Sequence, residues 1–166
     1  MNPVTTRSFD PGLRARVEDA GLNASAPPQQ RWVDGWLLRF SPGKAKRARS
    51  VNAVYPSTLP FAEKVAHCEA VYAGRGLPAI FRVSEHAEAG LDAFLESAGY
   101  GPFDHTDVQL ADIDPSRLAG PEVAAPPLGE WYDMVGELRG SPVAHRAAHL
   151  ARIEALTLER RCVALL

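Results

Sequence analysis

The stretch "NAVYPSTLPFAEKVAHC", residues 52–68, joins a predicted strand to a predicted helix. A β-like run ends at Val54–Tyr55. Beyond it, apolar residues recur at helical spacing and predict an amphipathic helix over 60–73; they are Phe61, Val65, Cys68 and Tyr72. In many α/β enzymes such a corner binds phosphate, because the helix start offers unpaired N–H groups and glycines let the ligand approach. Here the corner reads Pro-Ser-Thr-Leu-Pro-Phe (56–61) and has no glycine, so the sequence raises the question of whether it binds anything.

The order of the other predicted elements indicates an α/β protein. Asp10 and Pro11 are a helix cap and a first-turn proline, and Gly21 is expected to end that helix. Alternating or β-branched segments predict four strands, at 32–40, 49–55, 77–84 and 105–113. The first two form an antiparallel pair, and a second helix closing on Gly99 separates the last two. This order predicts a sheet of mixed direction flanked by helices.

The sequence divides into three expected parts. Residues 1–113 form the α/β domain, and 114–140 are a linker or edge segment rich in Pro, Gly and Ala. Residues 141–166 are expected to form a helix and then a buried strand, "RRCVALL". That strand either completes the first sheet or begins a further domain.

Composition excludes several classes of function. The chain has 166 residues, 46% hydrophobic and 23% charged, with a formal net charge of -2, which is typical of a soluble globular protein. This charge gives no general attraction to nucleic acid or to an anionic membrane. Neither a signal peptide nor a membrane span is visible, and Cys68 and Cys162 lack metal or disulfide spacing. We therefore expect a cytoplasmic protein without a metal.

One stretch carries a family resemblance. The run "GRGLPAIFRVSEHAEAGLDAFLESAGY", residues 74–100, resembles the second half of a GNAT-type N-acetyltransferase, in which a helix ends in Arg-Gly and the next helix closes on Gly-Phe or Gly-Tyr. Upstream, "DGWLLRF" and "KRARSVNAVYP" resemble the N-terminal half of two-domain GNAT proteins. The resemblance covers residues 10–112, and the stretch after 140 is similar to the opening of a second GNAT domain.

The resemblance implies an acetyl-CoA-dependent transfer to an amine. The family holds the diphosphate of acetyl-CoA with Gln/Arg-x-x-Gly-x-Gly/Ala, which falls here on residues 56–61. Pro56 stands in place of Gln or Arg, while Leu59 and Phe61 replace small residues, so the diphosphate cradle is expected to be lost. Leu95 stands where many members have a tyrosine acid, and leucine cannot donate a proton. No catalytic residue is therefore predicted in this chain.

Two sets of residues remain as candidate binding positions. The resemblance places the backbone of the family's fourth strand along the pantetheine arm, which implies that Val51, Asn52 and Ala53 line any cofactor path. From the residues themselves, a polar pocket is expected where charged side chains fall within strands or follow a central strand. Its candidates are Arg39, Arg49, Glu85 and His86, with Asn52 nearby.

The sequence thus predicts a degenerate N-terminal GNAT-like domain with little activity of its own. Its expected partner is a second GNAT domain or another copy of the chain. The alternative is a non-catalytic module with a GNAT-like fold that packs against a partner or dimerises. A small-molecule binding protein using Arg39, Arg49 and Asn52 is a third reading. His145 and His149 are four apart on a helix but have no third ligand, so a metal site is not expected.

Overall fold

The computed structural model describes residues 10–43, 45–112, 114, 116 and 123–164. The described chain forms an α/β structure with five α-helices and four strands. In chain order these are α1 (Pro11–Ala24), β1 (Gln29–Val33), β2 (Trp36–Phe40), β3 (Val51–Ala53), α2 (Phe61–Ala73), β4 (Phe81–Arg82), α3 (Leu91–Ser97), α4 (Leu128–Leu138) and α5 (Arg146–Glu154). Short 3-10 turns cover Lys46–Ala48 and Val143–His145.

The four strands form one mixed sheet in the order β1-β2-β3-β4. β1 and β2 are antiparallel, as are β2 and β3, whereas β3 and β4 are parallel. The mixed α/β class and the antiparallel β2–β3 pair are confirmed. The parallel pair is only two residues long, Val51 opposite Phe81 and Asn52 opposite Arg82. As a result β3 and β4 end at the same edge of the sheet, where their loops meet.

The prediction of one continuous strand over 32–40 is wrong, because a tight turn divides it. Asp34 has a φ of 41° and Gly35 a φ of 81°. Two successive positive φ values are those of a type I′ hairpin turn, for which Asp-Gly is a favoured pair. The segment 29–40 is therefore a hairpin, and β1 begins at Gln29, three residues before the predicted strand.

The hydrophobic core lies on one face of the sheet, beneath α2 and α3. Strand residues that alternate toward this face pack against the predicted apolar stripe of α2; the buried members include Trp36, Leu38, Val51, Val65, Cys68, Tyr72, Leu91 and Leu95. The predicted helix over 60–73 is confirmed to within one residue, and Cys68 is a core residue. Its burial raises the pKa of the Cys68 thiol to about 11, so the thiol is not a ready nucleophile.

Helix α1 lies on the opposite face of the sheet, which we call the α1 face. Directly opposed residues in a sheet share a face, so Leu37, Arg39, Asn52 and Arg82 lie there. The Arg39 guanidinium reaches Leu22 O at 2.8 Å, and Arg82 binds Glu18. Helix α1 runs past Gly21, where we expected it to end, and stops at Ala24.

Of the remaining strand predictions, the one over 77–84 is confirmed only in part, and the others are wrong within the described residues. Only Phe81–Arg82 of the 77–84 segment is a strand. Residues 105–112 form no strand, and Val108 is 60% exposed. In the segment 160–164 only Ala164 pairs, through an isolated bridge to Ala124; residues 113, 165 and 166 lie outside the described residues. Alternating apolar residues permit a strand, but a strand also needs a sheet edge beside it.

Candidate functional site

The corner between β3 and α2 is held by an acid from the β1–β2 turn. The Asp34 carboxylate accepts hydrogen bonds from the Thr58 amide at 2.9 Å and the Leu59 amide at 2.8 Å. It also accepts one from the Thr58 hydroxyl at 2.9 Å. The Leu59 amide is the main cause of a pKa of Asp34 below its usual range, helped by Thr58 and by the charge of Lys64. A side-chain carboxylate therefore occupies the position that an external anion takes in phosphate-binding corners.

Close backbone packing brings the hairpin turn onto this corner. The Tyr55 amide donates to Gly35 O at 3.0 Å. A Cβ at Gly35 would lie 2.5 Å from Tyr55 O and 2.6 Å from Pro56 O, so glycine is required by space as well as by its positive φ. The turn and the corner thus form one interlocked unit.

Lys64, one turn into α2, is the buried cation of this region. Its side chain is 0% exposed, and its Nζ lies 3.8 Å from the centre of the Trp36 ring. Nζ donates to Asp34 O at 2.8 Å and lies 3.7 Å from Asp34 Oδ2 and 3.6 Å from Glu88 Oε2. Burial lowers the pKa of Lys64, and the charges of Glu88 and Asp34 oppose that shift.

Glu88 links the two loops that leave the ends of β3 and β4. The Ser57 hydroxyl donates to its carboxylate, and Lys64 pairs with the same group. Burial raises the pKa of Glu88, but the Ser57 hydrogen bonds and the Lys64 charge outweigh it and leave that pKa below its usual range. The space between the two parallel strand ends is therefore bridged by side chains, from Ser57 through Glu88 and Lys64 to Asp34.

The three backbone positions expected along a cofactor path make up the whole of β3. Val51, Asn52 and Ala53 are buried and paired with β2. The Val51 amide donates to Ile80 O at 2.8 Å, so the sheet already uses this donor. Asn52 Nδ2 donates to Ser50 O at 3.0 Å, while Asn52 Oδ1 is buried without a hydrogen-bond partner in the described part of the chain.

The predicted pocket residues are brought together only in part. Arg39 is 1% exposed, and its guanidinium donates to the Ser25 hydroxyl and to Leu22 O at the end of α1. Arg39 and His86 both lie within electrostatic range of Glu18. Burial raises the pKa of Glu18, but the Arg82 ion pair outweighs this and lowers it.

The other two predicted pocket residues are placed differently. Glu85 is exposed and pairs with Arg14 at 2.6 Å, and it lies 3.9 Å from the His86 ring. Arg49 is half-buried, and its Nε has no hydrogen-bond partner among the described residues. Leu95, at the family's acid position, is a buried core residue.

Sequence reasoning missed Asp34, Lys64 and Glu88. Asp34 carried a signal, since Asp-Gly between alternating apolar residues marks a hairpin turn, but its contact with residue 59 depends on long-range register. Lys64 lies within the amphipathic pattern that predicts α2, and nothing in that pattern marked it as a buried cation. Nothing local distinguishes Glu88 from an ordinary loop acid.

No described group of three or more His, Cys, Asp or Glu side chains could hold a metal ion. His149 Nδ1 lies 3.1 Å from the Tyr132 hydroxyl. Two open grooves of about 460 and 290 Å³ lie beside the Ala124–Ala164 bridge; none of the predicted site residues lines them. Within the part of the chain described, no helix has both the length and the apolar character of a membrane span.

Comparison with known proteins gives a match to a family model. The family model described as "Probable histone acetyltransferase Rv0428c C-terminal" matches residues 13–148, which include the whole sheet, the corner and α4. Neither a curated protein nor a solved structure gives a significant match.

Proposed function

The chain belongs to the family named for this acetyltransferase C-terminal domain, and from that membership we propose that it is a GNAT-like domain. Its element order supports the proposal. β3 leads through the corner into α2, which is followed by Arg75-Gly76, and β4 then leads to α3 and Gly99-Tyr100. This is the sequence of elements that the resemblance implies for residues 52–100.

The residues at the corner do not fit the diphosphate of acetyl-CoA. A diphosphate needs free amide donors and room close to the backbone. Pro56 and Pro60 have no N–H, and the amides of Thr58 and Leu59 donate to Asp34. A ligand would have to displace a charged carboxylate that lies next to Lys64. We derive no catalytic step through acetyl-CoA at this position.

The function supported best is therefore that of a degenerate acetyltransferase domain with little activity alone. The observation that carries it is the pair of hydrogen bonds from Thr58 and Leu59 to Asp34. In the larger protein the reaction would be acetyl transfer from acetyl-CoA to an amine, and a second GNAT domain or another copy of the chain would be the partner. We place the protein in the cytoplasm, acting on neither nucleic acid nor membrane.

Titration calorimetry of the purified chain with acetyl-CoA tests this proposal. We expect no binding, or weak binding only. A dissociation constant below about 1 µM, equivalent to roughly -8 kcal/mol, would contradict it. The matched variant is Asp34→Gly, which removes the carboxylate and keeps the positive φ. Binding gained only in this variant would identify Asp34, rather than Pro56 or Leu59, as the group that excludes the coenzyme.

A non-catalytic packing module is a second candidate, favoured by two exposed apolar side chains. Leu138, at the end of α4, is 87% exposed, and Val143, at the next 3-10 turn, is 83% exposed. Exposed apolar side chains that lie near one another in sequence are typical of interaction surfaces when they form a patch. Light scattering at several protein concentrations tests this candidate, and a monomer at every concentration would count against it.

A further inference from the structure

Three arginine side chains from separate elements lie beside α1, and the charge of a fourth, Arg152, acts on one of them. Arg39 comes from β2 and Arg82 from β4, while Arg47 belongs to the 3-10 turn and Arg152 to α5. Arg39 binds Leu22 O, and Arg47 packs against α1, since a Cβ at Gly21 would lie 2.9 Å from its Nη1. Arg47, Arg82 and Arg152 are all near enough to disfavour the charge of Arg39.

The charges in this cluster do not balance. Among the four strongest charged neighbours of Arg39, three are arginines and one is Glu18. Glu18 is already engaged, because Arg82 binds both of its oxygens, Nη2 to Oε2 at 2.9 Å. Among Arg39 and these four neighbours, four guanidinium groups therefore accompany a single carboxylate. A buried charge is costly unless it is paired, so a structure retains such an excess where something compensates it.

Two of these side chains also have unused hydrogen-bonding capacity. Arg39 is 1% exposed, and its Nε has no hydrogen-bond partner in the described chain. Arg152 is 9% exposed, and none of the hydrogen bonds or ion pairs found among the described residues involves its guanidinium. Arg47 and Arg82 are half-buried, so the group borders the solvent through these two side chains.

We propose that the cluster of Arg39, Arg47, Arg82 and Arg152 is a binding site for a phosphate group, free or as part of a larger molecule. The planar guanidinium fork matches the oxygens of a phosphate, and a doubly charged oxyanion offsets most of the excess charge. The site lies on the α1 face, whereas the Asp34 corner leads into α2 on the other side of the sheet. The proposal therefore stands apart from the acetyltransferase relation.

Thermal unfolding of the full chain in increasing inorganic phosphate tests the site, with sodium chloride at matched ionic strength as the reference. We expect phosphate to raise the unfolding temperature beyond the chloride series, as a ligand of the native state does. Arg152→Met is expected to raise the unfolding temperature without phosphate, because it removes an uncompensated buried charge. It is also expected to weaken the apparent phosphate affinity by about tenfold or more.

Arg146→Met is the matched control, because Arg146 lies on the same helix but is exposed and paired with Asp133 at 2.6 Å. It is expected to keep the full phosphate response. If Arg152→Met fails to fold, Arg47→Gln replaces it, with the same expected loss of affinity. An equal response to phosphate and chloride, or a full phosphate response in the cluster variant that folds, would overturn the proposal.

The acetyl-CoA titration is repeated with Arg152→Met, since coenzyme A carries phosphate groups. Binding that this variant loses and Arg146→Met keeps would assign the coenzyme phosphates to the cluster and support the site. Binding retained in both, together with no specific phosphate response, would place the coenzyme elsewhere and count against it.

Discussion

The Asp34 carboxylate and the Leu59 amide, 25 residues apart, are joined by a 2.8 Å hydrogen bond that fixes the start of α2 to the β1–β2 turn. Leu59 comes immediately before Pro60, the N-cap residue of α2, so the contact holds the segment that leads into the helix. It satisfies amides that an anionic ligand would otherwise bind, and it sets the shape of the whole corner. Its removal therefore affects both stability and ligand access.

Asp34→Gly is expected to lower the urea midpoint of unfolding at neutral pH. The control is Asp104→Gly, because Asp104 also has a positive φ, 56°, but only an exposed ion pair to Lys46. Glycine relieves backbone strain at both positions, so a lower midpoint for Asp34→Gly alone reports the lost hydrogen bonds.

The same pair gives a pH dependence. The pKa of Asp34 is lower in the folded state, so its contribution to stability is complete above the unfolded pKa of about 4. That contribution is lost as the pH falls through the folded value. The difference in urea midpoint between wild type and Asp34→Gly should therefore shrink below about pH 4. A difference that stayed constant down to pH 2 would contradict the role of the charged carboxylate.

Gly35→Ala should destabilise the fold by about 3 kcal/mol or more, since it adds a positive-φ penalty to overlap with two backbone oxygens. Gly99→Ala is the comparison, because Gly99 has a φ of 90° but open space around its Cβ position. That variant should lose only about 1–2 kcal/mol. Equal losses in urea unfolding would mean that the turn does not pack on the corner as described.

Lys64→Met should cost about 2 kcal/mol, because Met keeps the apolar stem over Trp36 but removes the charge that Glu88 and Asp34 share. Lys46→Met, at an exposed position over Phe103, should stay within about 0.5 kcal/mol of wild type. A double-mutant cycle with Glu88→Gln should give a favourable coupling between Lys64 and Glu88. Zero coupling would rule out their ion pair as a stabilising contact.

Tyr72→Phe should destabilise the sheet by about 1–3 kcal/mol. The Tyr72 hydroxyl accepts from the Arg39 amide at 3.1 Å and donates to Arg39 O at 2.8 Å, and both groups are buried. Tyr55→Phe, at a residue 53% exposed, should change little.

Tyr72 also predicts an alkaline effect. Burial raises its pKa to about 12, above the unfolded value of about 10. Its contribution to stability is present below pH 10 and is lost as the pH rises toward 12. The cost of Tyr72→Phe should therefore fall across that interval, as measured by urea unfolding at each pH.

Local patterns predicted the elements that depend on local information. Helix α2 followed from the spacing of Phe61, Val65, Cys68 and Tyr72, and β2 lies within a segment predicted as a strand from alternation. Pro56 and Leu59 showed from the sequence that the corner is bulky and lacks an amide donor. The sequence did not show that Asp34 accepts hydrogen bonds from the remaining amides, because this depends on how the hairpin packs against a corner 24 residues later.

The failed strand predictions have the same physical origin. The segments 105–112 and 160–164 have suitable patterns, but their exposed residues show that alternation alone does not provide a neighbouring strand. Arg39 was identified as an arginine within a strand, yet its binding to the end of α1 depends on tertiary packing. A charged residue within a predicted strand therefore identified a candidate site residue, but the sequence did not predict which groups it contacts.

The two-residue parallel contact between β3 and β4 has a consequence for local opening of the sheet. So short a ladder joins β4, and with it α3 and the loop around Glu88, to β3 by few main-chain hydrogen bonds. In deuterium exchange, the β4 amides should take up label well before those of β2, which is paired on both sides. The sheet would then open first between β3 and β4, which would expose the region where Lys64 and Glu88 form their ion pair.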